Sequence, residues 1–139
     1  MSTIYLDNAA TTKVREEVVS VISSIIKKEY GNPSSTHSYG RSSKSLIESS
    51  RKEIADILNV KSSEIIFTSG GTEGDNMIIR NCVNNLGVTH IITTKIEHHA
   101  VTHTIDDLIR SNNINVSYVK VSKSGHVDLN DLEEILKRS

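Results

Sequence analysis

Cysteine is almost missing from this chain: Cys82 is the only one among 139 residues. No disulfide can form within the chain, which excludes a disulfide-stapled secreted scaffold. No run of eighteen apolar residues occurs and no charged-then-apolar leader opens the sequence, so neither a spanning helix nor a membrane partner is expected. Strong charge of one sign is missing too. The net charge is −1 with 24% charged and 36% hydrophobic residues, which argues against disorder and against a polyanion-binding surface, so nucleic acid is not an expected partner. Tryptophan is absent and proline occurs once, at Pro33; these scarcities shape the surface and assign no function. A single domain of ordinary size in a reducing, cytoplasmic setting is the default expectation.

What is present is organised around Thr68-Ser69-Gly70-Gly71-Thr72-Glu73-Gly74-Asp75-Asn76. The apolar run Glu64-Ile65-Ile66-Phe67 leads in and the helical pattern Met77-Ile78-Ile79-Arg80 leads out, so the spacing predicts strand, glycine turn and helix start. The first turn of a helix has N–H groups without intrahelical partners and a positive dipole end, which suits an anion, and two glycines let that backbone approach a phosphate. A plain strand-to-helix turn with Thr72 as N-cap fits these residues equally well.

Elsewhere, Thr3 to Thr12 reads as a short strand running into a polar turn. Val18, Val19, Ile22, Ile25 and Ile26 make the stripe of a helix from Arg15 to Lys28, and Tyr30-Gly31-Asn32-Pro33-Ser34-Ser35 reads as a loop. A second helix is expected from Tyr39 to Leu58 with Asn59 as its stop. Downstream come a helix to Asn85, a strand at Thr89–Thr94, a helix at Ala100–Arg110, a strand at Asn115–Val121 and a last helix from Asp128. Alternation over residues 64 to 139 predicts a mostly parallel sheet with crossover helices, and ligands in such sheets lie beyond the C-terminal strand ends. Two of those ends carry chemistry, Thr68–Thr72 and Lys95-Ile96-Glu97-His98-His99, and they are candidates for one pocket.

Glu97, His98, His99 and His103 could be read as metal ligands, but the zincin order, with Glu directly after the first His, is not kept. A histidine at a strand end can equally be a satisfied structural residue, or stack flat on a cofactor ring. Neither the Walker pattern nor the dinucleotide fingerprint is matched by Gly70, Gly71 and Gly74. Pyridoxal phosphate needs a phosphate cradle, a stacking group, a carboxylate at the pyridine nitrogen and a lysine; the sequence offers the first two.

The stretches Tyr5-Leu6-Asp7-Asn8-Ala9-Ala10-Thr11-Thr12, Tyr30 to His37, Gly40-Arg41, Ile66 to Glu73 and Thr94 to Val101 are colinear with the motifs of NifS/IscS-type cysteine desulfurases, which the chain resembles over essentially its whole length. The resemblance implies a class V aminotransferase-like enzyme of pyridoxal 5′-phosphate (PLP) fold type I. The fold class is then α/β: residues 61–139 begin the three-layer α/β/α large domain with its mostly parallel sheet, and residues 1–60 form a helical N-terminal arm. It further implies that Gly71 and Thr72 bind the cofactor phosphate and that His98 stacks on the ring and serves in acid–base steps, with no metal. L-cysteine as substrate, a homodimer and a sulfur-acceptor or scaffold protein for iron–sulfur or thio-cofactor synthesis are implied as partners. Lys13 and Gly71 depart from the usual proline and alanine.

In the family, the Schiff-base lysine, the aspartate at the pyridine nitrogen and the persulfide-forming cysteine lie beyond the matched region. The 139 residues alone are therefore expected to be inactive and to aggregate or need a complementing fragment. Cys82 is read as a core or half-buried thiol, not as the catalytic one. Another class V enzyme, such as a selenocysteine lyase or aminotransferase, and a truncated, non-catalytic interaction module stay open as alternatives.

Overall fold

A computed structural model describes residues 3–112 and 114–138. The chain divides into two units, Met1–Ile66 and Phe67–Ser139.

In the first unit, residues 3–7 form no strand; a turn follows, closed by Ala10 N–H and Thr11 N–H on the Asp7 carbonyl at 3.1 and 3.3 Å. The polar turn expected within Thr3–Thr12 is thus present, but the short strand leading into it is not. A strand needs a neighbour for its ladder, and among the described residues none pairs with this one. Helix α1, Glu16–Lys28, has Glu16 and Glu17 in its first turn and Lys27 and Lys28 in its last, the distribution a helix dipole favours. Its apolar stripe stays uncovered: Val18, Val19, Val21, Ile22 and Ile26 are exposed.

The Gly31–Pro33 loop is held by an Asx-type turn. Asn32 Oδ1 accepts from Ser34 N–H and the Asn32 carbonyl from Ser35 N–H, both at 2.9 Å. Helix α2, Ser38–Leu58, starts on His37, whose ring accepts from Gly40 N–H at 3.3 Å. Asn59, at φ 55°, ends it in the left-handed conformation that the sequence position suggests, and Val60 N–H closes the end on the Ala55 carbonyl at 3.0 Å. A 3₁₀ turn at Ser62–Glu64 follows, with Glu64 Oε2 accepting from Lys61 N–H at 2.8 Å. The strand expected at Glu64–Phe67 is not formed either. Ile65 is extended, but its carbonyl accepts from the Arg51 guanidinium instead of from a neighbouring strand.

The second unit contains helix α3 (Gly71–Asn84), strand β1 (His90–Thr93), helix α4 (His99–Asn112), strand β2 (Asn115–Tyr118) and helix α5 (Leu129–Arg138). β1 and β2 are parallel, in register from His90 with Asn115 to Thr93 with Tyr118, so α4 is the crossover that the alternating pattern calls for. Gly87, at φ 71°, takes the left-handed turn between α3 and β1. Val83 of α3, Leu108 of α4 and Ile114 before β2 make the buried cluster, with Ile79, Ile91 and Val116 packed on it. An antiparallel bridge between Val121 and Val127 closes a turn at Gly125, and Asp128 caps α5 by accepting from Asn130 N–H and Asp131 N–H at 3.0 and 3.1 Å. Asp131 ties this helix back through Lys120, to Nζ at 2.7 Å and to the backbone N–H at 2.8 Å. Those bonds hold its carboxyl below the usual range and the lysine above its own. No helix among the described residues is long and apolar enough to cross a membrane.

Gly40, like Gly31, marks a close backbone approach in the first unit: a Cβ at Gly40 would lie 2.6 Å from the Asn32 carbonyl oxygen and 2.8 Å from Ser35 Cβ. Gly40→Ala is expected to lower stability by about 1–3 kcal/mol, the usual cost of forcing atoms into a filled site. The denaturation midpoint, together with faster amide exchange at Ser35, measures it.

Candidate functional site

The site lies wholly within the second unit, where the first turns of α3 and α4 meet. The i→i−4 ladder of α3 opens with Gly74 N–H on the Gly70 carbonyl at 3.1 Å, which leaves the N–H groups of Gly71, Thr72 and Glu73 ahead of the ladder. A Cβ built on Gly70 or on Gly71 would meet nothing within 4 Å. The backbone at Gly70 and Gly71 is therefore uncrowded on the side a side chain would occupy. The N-cap position is Gly70, so Thr72 is not the cap but lies in the first helical turn.

Glu73 completes the turn from behind. Its Oε2 accepts from Ser69 N–H at 2.5 Å, and that backbone bond, helped by the Ser69 side chain, holds the carboxyl below the usual carboxylate range. The loop thus has a return contact of the capping-box kind, from a glutamate in the first turn to an N–H just before the helix.

The second helix start is built by histidine. After β1, Thr94 is buried and donates its hydroxyl to Glu97 at 2.9 Å. The His98 carbonyl then accepts from Val101 and Thr102 N–H, and its ring Nδ1 accepts from Ala100 N–H at 3.1 Å. His98 is therefore the N-cap of α4. An Nδ1 that accepts an amide hydrogen leaves the ring proton on Nε2, so the side chain meets a ligand as a neutral ring with an Nε2–H donor.

One cleft of about 260 Å³ brings the two starts together. Thr72, Asn76 and Arg80 line it from α3, and His98, His99 and His103 from the other side. Of the residues singled out from the sequence, Thr72 and His98 border this cleft directly and Gly71 opens α3 beside it. Cys82 lines a separate apolar hollow with Ile78, Ile79 and Ile91, and is half-buried. His99 and His103 do form an i, i+4 pair, with stacked rings 4.8 Å apart. No group of three or more His, Cys, Asp or Glu among the described residues could hold a metal ion.

Three residues of the site, Asn76, Thr104 and Arg80, were given no role by the sequence reading, although Asn76 ends the stretch it centred on. Asn76 Nδ2 donates to the Thr72 carbonyl at 2.9 Å and to the Ala100 carbonyl at 3.4 Å, and Thr104 Oγ1 donates to Asn76 Oδ1 at 2.8 Å. Arg80 adds Nε to Asn76 Oδ1 at 3.3 Å and an ion pair with Asp107 at 2.8 Å. The signal was there as a polar stripe, Thr72, Asn76 and Arg80, at four-residue steps on α3.

Because the Glu73 carboxyl is depressed, its bond to Ser69 is present above the ordinary glutamate pKa of 4.5 and is lost as the pH falls through the lower folded value. The Ser69 amide resonance is expected to titrate below pH 4.5 with Glu73 and to lose that step in Glu73→Gln, as an amide proton NMR titration reads directly.

The profile of the class-V aminotransferase family matches residues 4–139. Over 140 aligned residues the chain is 43% identical to cysteine desulfurase IscS of Dictyoglomus turgidum, covering 97% of this chain and 34% of that protein. It is 42% identical to the putative cysteine desulfurase IscS 1 of Bacillus subtilis, covering 99% of this chain and 36% of the relative. Among solved structures, a NifS-like protein superposes with a TM-score of 0.84 at 37% identity, over 92% of this chain and 35% of that one. SspA in complex with cysteine superposes at 0.83 with 33% identity, over 95% and 38%. The chain thus spans about a third of the length of the curated relatives it matches, and its α/β fold is that of the corresponding part of PLP fold type I proteins. With the family profile running through both helix starts and nearly the full sequence, this chain belongs to the class-V aminotransferase family.

Proposed function

We propose that the chain is the N-terminal portion of a PLP-dependent cysteine desulfurase, in which residues 61–139 begin the cofactor-binding large domain and residues 1–60 form an N-terminal arm. The complete enzyme would convert L-cysteine to L-alanine and take the sulfur as a persulfide on one of its own cysteines, for delivery to an acceptor or scaffold protein. One observation carries the reading: the open first turn of α3 and the capping ring of His98 border the same cleft. That is the arrangement an anion joined to an aromatic ring requires. Relatives named cysteine desulfurase support the reaction, and the cysteine bound to SspA supports the substrate. A homodimer in the cytoplasm belongs to the same reading.

In this chain, the N–H groups of Gly71 and Thr72 would hold the phosphate, strengthened by the positive end of α3. PLP, when bound, supplies an electron sink for the carbanion formed at the substrate's α-carbon. His98 would stack on the ring and offer its Nε2–H to a ligand atom. Since Nδ1 is occupied by Ala100 N–H, the ring takes up a second proton there only by releasing that bond, which couples acid–base work at His98 to its cap. His99 and His103 also line the cleft and stack on each other.

The first test maps the anion. Inorganic phosphate added to the chain is expected to shift the Gly71 and Thr72 amide resonances ahead of all others; binding elsewhere with these two unmoved rejects the cradle. The second separates ring from cap. In a complete enzyme carrying this portion, His98→Asn keeps a cap acceptor and loses the imidazole. Turnover is expected to fall roughly 10²- to 10⁴-fold while stability stays near that of the unsubstituted protein. His99→Ala is expected to be far milder, and equal small losses for both substitutions refute the assignment.

A further inference from the structure

We propose that Asn76 and Thr104 are positioning residues that fix the spacing between the phosphate-holding turn of α3 and the stacking histidine at the start of α4; the inference rests on the function proposed above. Apolar packing between the two helices lies further along them, where Ile79 and Val83 meet Leu108. Van der Waals contacts of that kind tolerate small slides. The first turns are joined instead by directional bonds. The Asn76 amide donates to the carbonyls of Thr72 and Ala100, one in each helix start, and accepts from Thr104 Oγ1 at 2.8 Å. Thr104 is only 3% exposed, and its hydroxyl also lies 2.7 Å from the Ala100 carbonyl, so its single proton is shared between two acceptors. Ala100 is in turn the residue whose N–H holds His98 Nδ1.

A continuous path therefore runs from Thr72 through Asn76 and Ala100 to the His98 ring, along the wall of the cleft that Asn76 and Thr104 help to line. The Asn76 amide has one workable orientation, because turning it over would set its oxygen against two carbonyl oxygens. Removing the Thr104 hydroxyl leaves Asn76 Oδ1 with Arg80 Nε at 3.3 Å as its remaining partner. The helix starts would then be free to shift by the fractions of an ångström that separate a stacked ring from a displaced one.

The experiment compares two probes on the full chain: inorganic phosphate, which reads α3 alone, and pyridoxamine 5′-phosphate, which reads α3 and the His98 ring together and needs no lysine. Thr104→Val preserves shape, Thr104→Ser restores the hydroxyl, and Asn76→Ala removes the amide. Affinity for pyridoxamine 5′-phosphate is expected to fall about 3- to 10-fold in Thr104→Val and Asn76→Ala, the scale of one aromatic stacking contact. Phosphate affinity should stay within about 2-fold, and Thr104→Ser should behave as the unsubstituted chain. Equal losses for both probes, or no loss for either, overturn the proposal.

A ligand-free readout separates this from failure of the functional reading. If the unsubstituted chain prefers neither probe, the cofactor assignment falls. The ¹⁵N resonance of His98 Nδ1 then decides: a shift in Thr104→Val that Thr104→Ser reverses supports the clasp, and an unmoved resonance overturns it.

Discussion

The amide of Asn76 is the joint on which the second unit's chemistry depends. Two helix starts presented side by side put two positive dipole ends close together, an arrangement that favours an anion between them and costs energy without one. The bonds from Asn76 Nδ2 to the Thr72 and Ala100 carbonyls link the two starts to each other. Each neutral bond contributes on the order of 1 kcal/mol, small beside the apolar cluster, yet geometry and not stability is what a ligand reads. The core built from Val83, Leu108 and Ile114 brings the helices together; the polar contacts decide where their ends stop.

Helices were legible in the sequence because their signals are local. The stripe from Val18 to Ile26, the stop at Asn59 and the acidic and basic ends of α1 and α5 are written in neighbouring residues, and the helices form where those signals lie. The strands at His90–Thr93 and Asn115–Tyr118 were equally readable, since α4 returns the chain to pair them. The segments at Thr3–Asp7 and Glu64–Phe67 form no strand among the described residues, because pairing depends on a second strand that no local pattern specifies. For Ile65 a competing bond donated by the Arg51 guanidinium, fourteen residues away, takes the carbonyl a ladder would use.

The site was legible in part for the same reason. Gly70, Gly71 and the histidine run are visible as motifs, and Thr72 and His98 do come to one cleft. Asn76 and Thr104 are ordinary helical polar residues until their separation of twenty-eight positions is folded into a 2.8 Å contact. His98 was legible as a candidate but not as a cap: the bond from Ala100 N–H to Nδ1 depends on where α4 begins, and helix starts are the least certain part of any sequence reading.

That cap has a consequence for the chemistry of the surface. Three histidines, His98, His99 and His103, border one cleft, but they do not form a group that could hold a metal ion. A transition-metal ion needs a bare nitrogen lone pair. At His98 one lone pair is spent on the Ala100 amide, and the other nitrogen carries the proton, so the ring has none to give while α4 is capped. The hydrogen bond that begins the helix thereby leaves the His98 ring facing its neighbours as a donor through Nε2–H.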